Sequence, residues 1–355
     1  MQPALGIIEG FYGPAWSWQA RARVVATLAP HGYRFYWYAP KGDAFLRRRW
    51  QEPHPPEQAE EIKAFARHCE KQGVAFGVGL SPYEVYRQFD GAARRALADK
   101  LAWLADLGVQ RLALLFDDMP GNMPELAQRQ AEVVAWVRAH TALPDLAVCP
   151  TYYSDDPVLD RVFAHRPPDY LSRLGELLDP GIEMFWTGEE VCSRAVSPAH
   201  LRQVAQRLGR RPLLWDNYPV NDGDRMSRHL HLRGFTGRPA SLAGELTGHA
   251  INPALQPTLT CIPAITLAAS YRQGDDYCYL AATREAAREV LGPDLGRQIC
   301  DDVLALEDSG LARLSVERQA RLRECYAGYD HEGAREVLAW LAGAYQVTDE
   351  MVQTQ

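Results

Sequence analysis

No two of the seven cysteines (Cys69, Cys149, Cys192, Cys261, Cys278, Cys300 and Cys325) stand in CxxC spacing, and their number is odd. A disulfide framework and a zinc knuckle are therefore not expected, and reduced thiols in a reducing compartment are. There is no long basic run, and the formal net charge is only −7. Nucleic acid and anionic membranes are thus not expected as partners. The N-terminal stretch MQPALGIIEG lacks a charged leader followed by a long apolar segment, and nothing elsewhere reaches transmembrane length. A cytoplasmic location is the expectation. No HxH or HxD pair ends a strand-like run. The HLH at 229–231 lies in a loop-like region, and two histidines alone rarely complete a metal site. Low-complexity tracts are missing too.

What is present is a regular succession of short apolar runs: 4–10, 33–40, 74–82, 111–118, 146–153, 182–188, 212–219 and a weaker, glycine-containing 242–252. They are continuous rather than alternating, which suits strands covered on both faces, as in parallel sheets. Their starts lie 29 to 41 residues apart, room for one strand and one crossover helix. The segments between them read as helices. PPEQAEEIKAFARHCEKQG, for example, opens on prolines and acids and closes on Lys-Gln-Gly, respecting the usual start and stop signals. Eight such units predict an α/β fold, a (β/α)8 TIM barrel over residues 1–282. The texture changes after CIPAITLAASY (261–271), and residues 283–355 read as a small helical C-terminal appendage without a catalytic signature.

In such barrels the active site gathers at the C-terminal ends of the strands. Here those ends carry Glu9-Gly10 with Phe11-Tyr12-Gly13, then Lys41, then Asp117-Asp118. Thr151-Tyr152-Tyr153, Trp186-Thr187, Trp215-Asp216-Asn217 with Asp222, and Asn252 follow. Aromatic faces stack on sugar C–H surfaces, while acids and amides bind hydroxyls, so the mixture suits a carbohydrate. In LLFDDMPG the paired aspartates have no basic neighbour in sequence. Two nearby acids seldom both ionise, so one is expected to keep its proton, as glycoside hydrolysis requires. The plainer alternative is that Asp117 or Asp118 caps a helix beginning near Pro124.

GIIEGFYGPAW, YWYAPKGD, LLFDDMPG, CPTYYSDD, FWTGEEV, LLWDNYPVND and INP, in that order, resemble the β-N-acetylglucosaminidase domain of glycoside hydrolase family 84. That family includes protein O-GlcNAc hydrolases and bacterial enzymes once labelled hyaluronidases. The resemblance covers residues 4 to 270. It implies a retaining exo-β-N-acetylglucosaminidase that cleaves terminal β-linked GlcNAc from a glycoside or glycoprotein. The substrate's own acetamide attacks through an oxazoline, without any cofactor or metal. By position Asp117 matches the acid that orients the acetamide N–H, and Asp118 the general acid and later base. Tyr153, Thr187 and Trp215 match the acetamide pocket, with Tyr152 beside Tyr153 leaving a register choice. Asn217 matches the amide next to that tryptophan. Lys41 and the Gly10 carbonyl match groups that hold a sugar hydroxyl. Asp222 and Asn252 match binders of hydroxyls at the far edge of the ring.

Two other readings compete. Asp117, Asp118, Asp216 and Asp222 could hold a divalent metal in a barrel hydrolase. A GlcNAc-binding barrel with weak or no turnover is the non-enzymatic alternative, although a lectin has no use for adjoining carboxylates.

Overall fold

The computed structural model describes residues 3–355. Eight strands are hydrogen-bonded in sequence order into a closed barrel, every neighbour parallel and β8 returning to β1. They are β1 Ala4–Glu9, β2 Tyr33–Tyr38, β3 Ala75–Leu80, β4 Arg111–Leu115, β5 Asp145–Cys149, β6 Glu183–Trp186, β7 Leu213–Asp216 and β8 Gly248–Ile251. Each expected run holds one strand, including the glycine-containing eighth. The helices α1 Trp18–Leu28, α2 Pro56–Lys71, α3 Gly91–Asp106 and α4 Leu126–His140 cover the first four crossovers. Two helices, α5 Pro157–Val162 and α6 Tyr170–Leu177, follow β5, and α7 Pro198–Leu208 follows β6. The link from β7 to β8 departs from the expected unit: it carries only 3-10 turns at Met226–Arg228 and Ala240–Gly244. The long loop between them is free to build the barrel rim instead.

Side chains, not solvent, fill the barrel. Trp37 from β2 and Phe185 from β6 meet edge to face at 6.1 Å, and Phe185 meets Trp215 from β7 at 5.4 Å. Trp37 fits because Gly77 on β3 has no side chain; a Cβ there would lie 2.4 Å from the indole. Each such fully buried side chain contributes roughly 1.5–3 kcal/mol. Two charged clusters are buried among them. Arg21 from α1 grips Glu9 at the end of β1 with bonds of 2.8 and 2.6 Å. Arg238 grips Asp216 with two bonds of 2.7 Å, and His249 of β8 meets the same carboxylate at 2.9 Å.

After α8 Pro257–Gln273, the chain continues as α9 Tyr279–Leu291, α10 Pro293–Val303, α11 Val316–Ala327, α12 Glu332–Leu341 and α13 Asp349–Thr354. The division expected at 282/283 falls inside α9, one continuous helix packed on α8. Glu336 of α12 accepts the N–H groups of Thr258 and Leu259 in the first turn of α8. The last residues come back to the barrel rim, where Gln355 accepts the Gly13 N–H at 2.8 Å. No helix among the described residues is long and apolar enough to cross a membrane.

Candidate active site

At the C-terminal end of the barrel a cavity of about 160 Å³ is lined by Gly10, Tyr12, Lys41, Asp117, Asp118, Cys149, Tyr153, Thr187, Val191, Cys192, Trp215, Asn217, Val220, Asp222 and Asn252. Every residue to which the family resemblance assigns a role is among them.

Strand alternation decides which neighbours face in. Successive side chains on a strand point to opposite sides. Thr187 lines the cavity, while Trp186 turns outward and donates its indole N–H to His200 at 3.0 Å. Trp215 and Asn217 face in, and Asp216 between them faces out to Arg238 and His249. Tyr153 faces in; Tyr152 is buried behind it, donating to the Ala164 carbonyl at 2.6 Å. Thr151, past the end of β5, is turned away by the loop, to the Phe116 carbonyl at 2.9 Å. Trp186, Thr151 and Asp216 are thus corrected from rim to wall, and the tyrosine register is fixed on Tyr153.

Asp117 and Asp118 break that rule, and the backbone shows how. β4 ends at Leu115, and Asp118 has φ +56°. A left-handed residue reverses the chain locally, a conformation aspartate tolerates better than most. The turn swings the second carboxylate back to the side of the first. Neither residue caps the next helix: α4 begins at Leu126 with Glu125 at its N-cap and no side-chain cap.

The pair also has the basic neighbour that its sequence surroundings lack. Lys41, 4% exposed, donates to Asp117 Oδ2 and lies 3.1 Å from Asp118 Oδ2. Asp118 Oδ2 further accepts the Tyr12 hydroxyl at 2.8 Å, and Oδ1 the Tyr153 hydroxyl at 3.2 Å. Burial alone would push the Asp118 carboxyl up, but the Lys41 and Arg47 cations and the Tyr12 hydrogen bond outweigh it. They hold it below the usual carboxylate range. The Lys41 and Arg47 cations thus work against the expectation that one aspartate keeps its proton where that aspartate is Asp118. Burial pulls the Lys41 ammonium down and the two aspartates pull it further up, so it stays charged. Asp117 Oδ1 is buried without any hydrogen-bond partner.

Asp222 lies across the cavity. Its Oδ2 accepts the Tyr12 backbone N–H at 2.9 Å, so Asp222 and Asp118 sit at opposite ends of one tyrosine residue. Burial pushes its carboxyl up to about 6, against the Tyr12 N–H and with the help of the Asp118 charge. Asn252 accepts the Gly10 N–H at 3.2 Å and donates to Asn217 Oδ1 at 3.0 Å, which also accepts the Trp215 indole N–H at 3.0 Å. Asn217 Nδ2 donates to the Val191 carbonyl at 2.8 Å. These bonds stitch the loops after β1, β6, β7 and β8 into one wall. Gly10 is needed for it, since a Cβ there would stand 2.2 Å from the Trp215 ring. Thr187 Oγ1 lies 3.3 Å from the Tyr153 and Glu190 carbonyls.

Cys149, Val191, Cys192 and Val220 line the cavity without having been singled out, and Tyr12 was named only as part of the β1 end. Tyr12 and Cys149 stood inside recognised blocks, GIIEGFYGPAW and CPTYYSDD, and position within the block was the available signal. Burial raises the Cys149 thiol well above its ordinary value, so it sits at the cavity wall as a neutral group. His229 and His231 bond separate backbone carbonyls, of Glu307 and Pro219, and form no joint site. The four aspartates of the metal reading do not converge: Asp216 is committed to Arg238 and His249, and Lys41 stands against the other pair. No cluster of three or more metal-ligating side chains occurs among the described residues.

A family model described as beta-N-acetylglucosaminidase matches residues 5–303. Over 276 residues the chain is 29% identical to the protein O-GlcNAcases of mouse and of rat. The match covers 75% of this chain but only 30% of each relative's length. Among solved structures, a mutant O-GlcNAc hydrolase of Thermobaculum terrenum superposes with a TM-score of 0.79 at 27% identity, covering 95% of this chain and 80% of that one. CpGH84B superposes with a TM-score of 0.75 at 22% identity over 96% of this chain and 66% of its own, a likeness of fold.

Proposed function

The chain belongs to the β-N-acetylglucosaminidase family, and we propose that it is a retaining exo-β-N-acetylglucosaminidase acting on terminal β-linked GlcNAc by substrate-assisted catalysis. One observation carries the mechanism: the buried, unpartnered Oδ1 of Asp117 beside Asp118. A buried acceptor left unpaired costs about 1–3 kcal/mol. The N–H of a 2-acetamido group placed there removes that cost. It is then polarised by a carboxylate that Lys41 keeps in place.

In the first step the acetamide oxygen bonds to the anomeric carbon while the bond from that carbon to the aglycone oxygen breaks. Asp118 gives its proton to the departing oxygen, and Asp117 balances the positive charge spreading over the acetamide. In the second step water bonds to the anomeric carbon and the oxazoline C–O bond breaks. Asp118 takes the water's proton. Two displacements at one carbon retain its configuration. Lys41 and Arg47 favour the carboxylate form of Asp118, so Asp118 takes its proton from solvent as substrate binding desolvates it. The sugar excludes water from Asp118 and competes for the Lys41 ammonium.

Tyr153, Thr187, Trp215 and the Cys149 thiol enclose the acetamide methyl, with Asn217 fixing the indole. Lys41 and the Gly10 carbonyl hold a hydroxyl beside them, and Asp222 with Asn252 binds those at the far edge. GlcNAc-bearing proteins are the substrates named for the relatives, and the same class is proposed here.

The test is a pair of aryl glycosides. The N-acetyl-β-glucosaminide should be hydrolysed and the matching β-glucoside at least 10³-fold more slowly, since a positioned intramolecular nucleophile supplies a large part of the rate. Comparable rates would end the substrate-assisted reading. Binding of GlcNAc without turnover would favour the lectin reading.

A further inference from the structure

Arg47 is 4% exposed and lies in the loop after β2, behind the cavity rather than in its lining. Its Nη1 donates to the Tyr12 phenol oxygen at 3.2 Å, and its Nη2 to the backbone carbonyl of Asp118 at 3.3 Å. The guanidinium rests against the rings of Tyr12 at 5.8 Å and Tyr83 at 5.6 Å. The loop that presents it is itself anchored. Asp43 accepts the Phe45 N–H to start the turn Ala44–Leu46, and is held by the Tyr38 hydroxyl and His54, each at 2.8 Å. Nothing in that anchoring serves the sugar directly.

We infer that Arg47 is a positioning residue for the proton-transferring carboxyl, orienting the Tyr12 hydroxyl toward Asp118 and pinning the left-handed turn that presents Asp118 to the cavity. A phenol has one proton to give and lone pairs to receive. With an Arg47 N–H donated into the Tyr12 oxygen, that proton is directed to Asp118 Oδ2, 2.8 Å away. The second guanidinium nitrogen holds the carbonyl of the strained residue, so one planar fork controls the side chain and the backbone of Asp118 together. A lysine offers one point charge and no fork.

Groups facing Asp118 come from several elements. Tyr12 comes from the loop after β1, Lys41 and Arg47 from the loop after β2, and Asp117 from its own turn. Cys149 and Tyr153 come from the end of β5, and Asp222 from the loop after β7. Lys41 and Arg47 are the cations among them, and both favour the carboxylate form of Asp118.

The inference rests on Asp118 being the proton donor, so the experiment carries Asp118→Asn alongside. Arg47→Gln, Arg47→Lys and Tyr12→Phe are compared with the unchanged protein on a nitrophenyl and an alkyl N-acetyl-β-glucosaminide across pH. Arg47→Gln should lose about tenfold more rate on the alkyl glycoside than on the nitrophenyl one. Its descending alkaline limb of kcat, which reports the acid in the substrate complex, should move to higher pH, because a cation favouring the ionised acid has gone. Arg47→Lys should return the limb but not the full rate. Equal losses on both substrates with an unmoved limb would overturn the inference, as would full rescue of the rate by lysine. If Arg47→Gln does not fold, Tyr12→Phe carries the test: loss of its hydrogen bond should move the limb the same way, and an unmoved limb overturns the inference. Should Asp118→Asn itself lose rate equally on both substrates, the assignment of Asp118 falls and this inference falls with it. If only Arg47→Gln fails to discriminate, the inference falls alone.

Discussion

Lys41 Nζ lies 3.1 Å from Asp118 Oδ2, although 76 residues separate Lys41 from Asp117, the carboxylate it also binds. The pair of aspartates is therefore a triad with a cation at its centre. Lys41→Met leaves two like charges side by side, and the Asp118 carboxyl should rise. We expect kcat/KM to fall by about 10²-fold, the usual cost of removing one preorganised electrostatic group. A surviving activity should extend to higher pH than in the unchanged protein. Steady-state rates across pH check both.

Asp222 predicts an acid limb. Its carboxyl is pushed from the usual 3.8 to about 6, and the charged form accepts much stronger hydrogen bonds from sugar hydroxyls than the neutral one. kcat/KM should fall below about pH 6, and Asp222→Asn should abolish that limb at a lower plateau. The sign for stability is opposite. Between about pH 4 and 6 the folded state binds this proton more tightly than the unfolded state, so the contribution of Asp222 declines as pH rises through that window. Denaturant titrations of Asp222→Asn across the same window should show a flatter dependence.

Arg238→Met should leave the Asp216 carboxylate buried with only His249 beside it. Burial raises that carboxyl and Arg238 and His249 more than offset it, holding it well below its ordinary range. Breaking a buried pair from one side costs about 3–5 kcal/mol, which urea unfolding would register as a lower midpoint at unchanged slope. Trp215 and Asn217 flank Asp216, so residual activity should show a raised KM as well.

Gly10→Ala tests the close approach of the loop after β1 to β7. The added methyl would meet the Trp215 ring at 2.2 Å, and either the indole or the loop has to move. Turnover should drop at least tenfold through a misplaced acetamide pocket, with the unfolding midpoint changed far less than in Arg238→Met.

The barrel was legible because parallel strands covered on both faces write unbroken apolar runs, and eight of them recur at βα spacing. The β7–β8 link escaped that reading: a helical period was assumed where 3-10 turns and an extended loop suffice. Within the site, the ordered blocks carried the identities of the lining residues. Which of two adjacent side chains faces the cavity depends on strand alternation, which turns Trp186 and Asp216 outward, while Thr151 is turned by the loop beyond β5. The Lys41 contact with the aspartates joins β2 to β4, and the Arg47 contact with Tyr12 joins the loops after β2 and β1. Contacts across a closed barrel leave no mark in local spacing. The left-handed backbone at Asp118 leaves none either, since aspartate is common in every kind of turn.

The most direct measurement compares Asp117→Asn and Asp118→Asn on N-acetyl-β-glucosaminides with good and poor leaving groups. Asp117→Asn should lose rate on both alike, because the acetamide must be oriented whatever departs. Asp118→Asn should lose far more on the poor leaving group, which cannot depart unprotonated. Equal losses for Asp118→Asn on the two substrates would contradict the account.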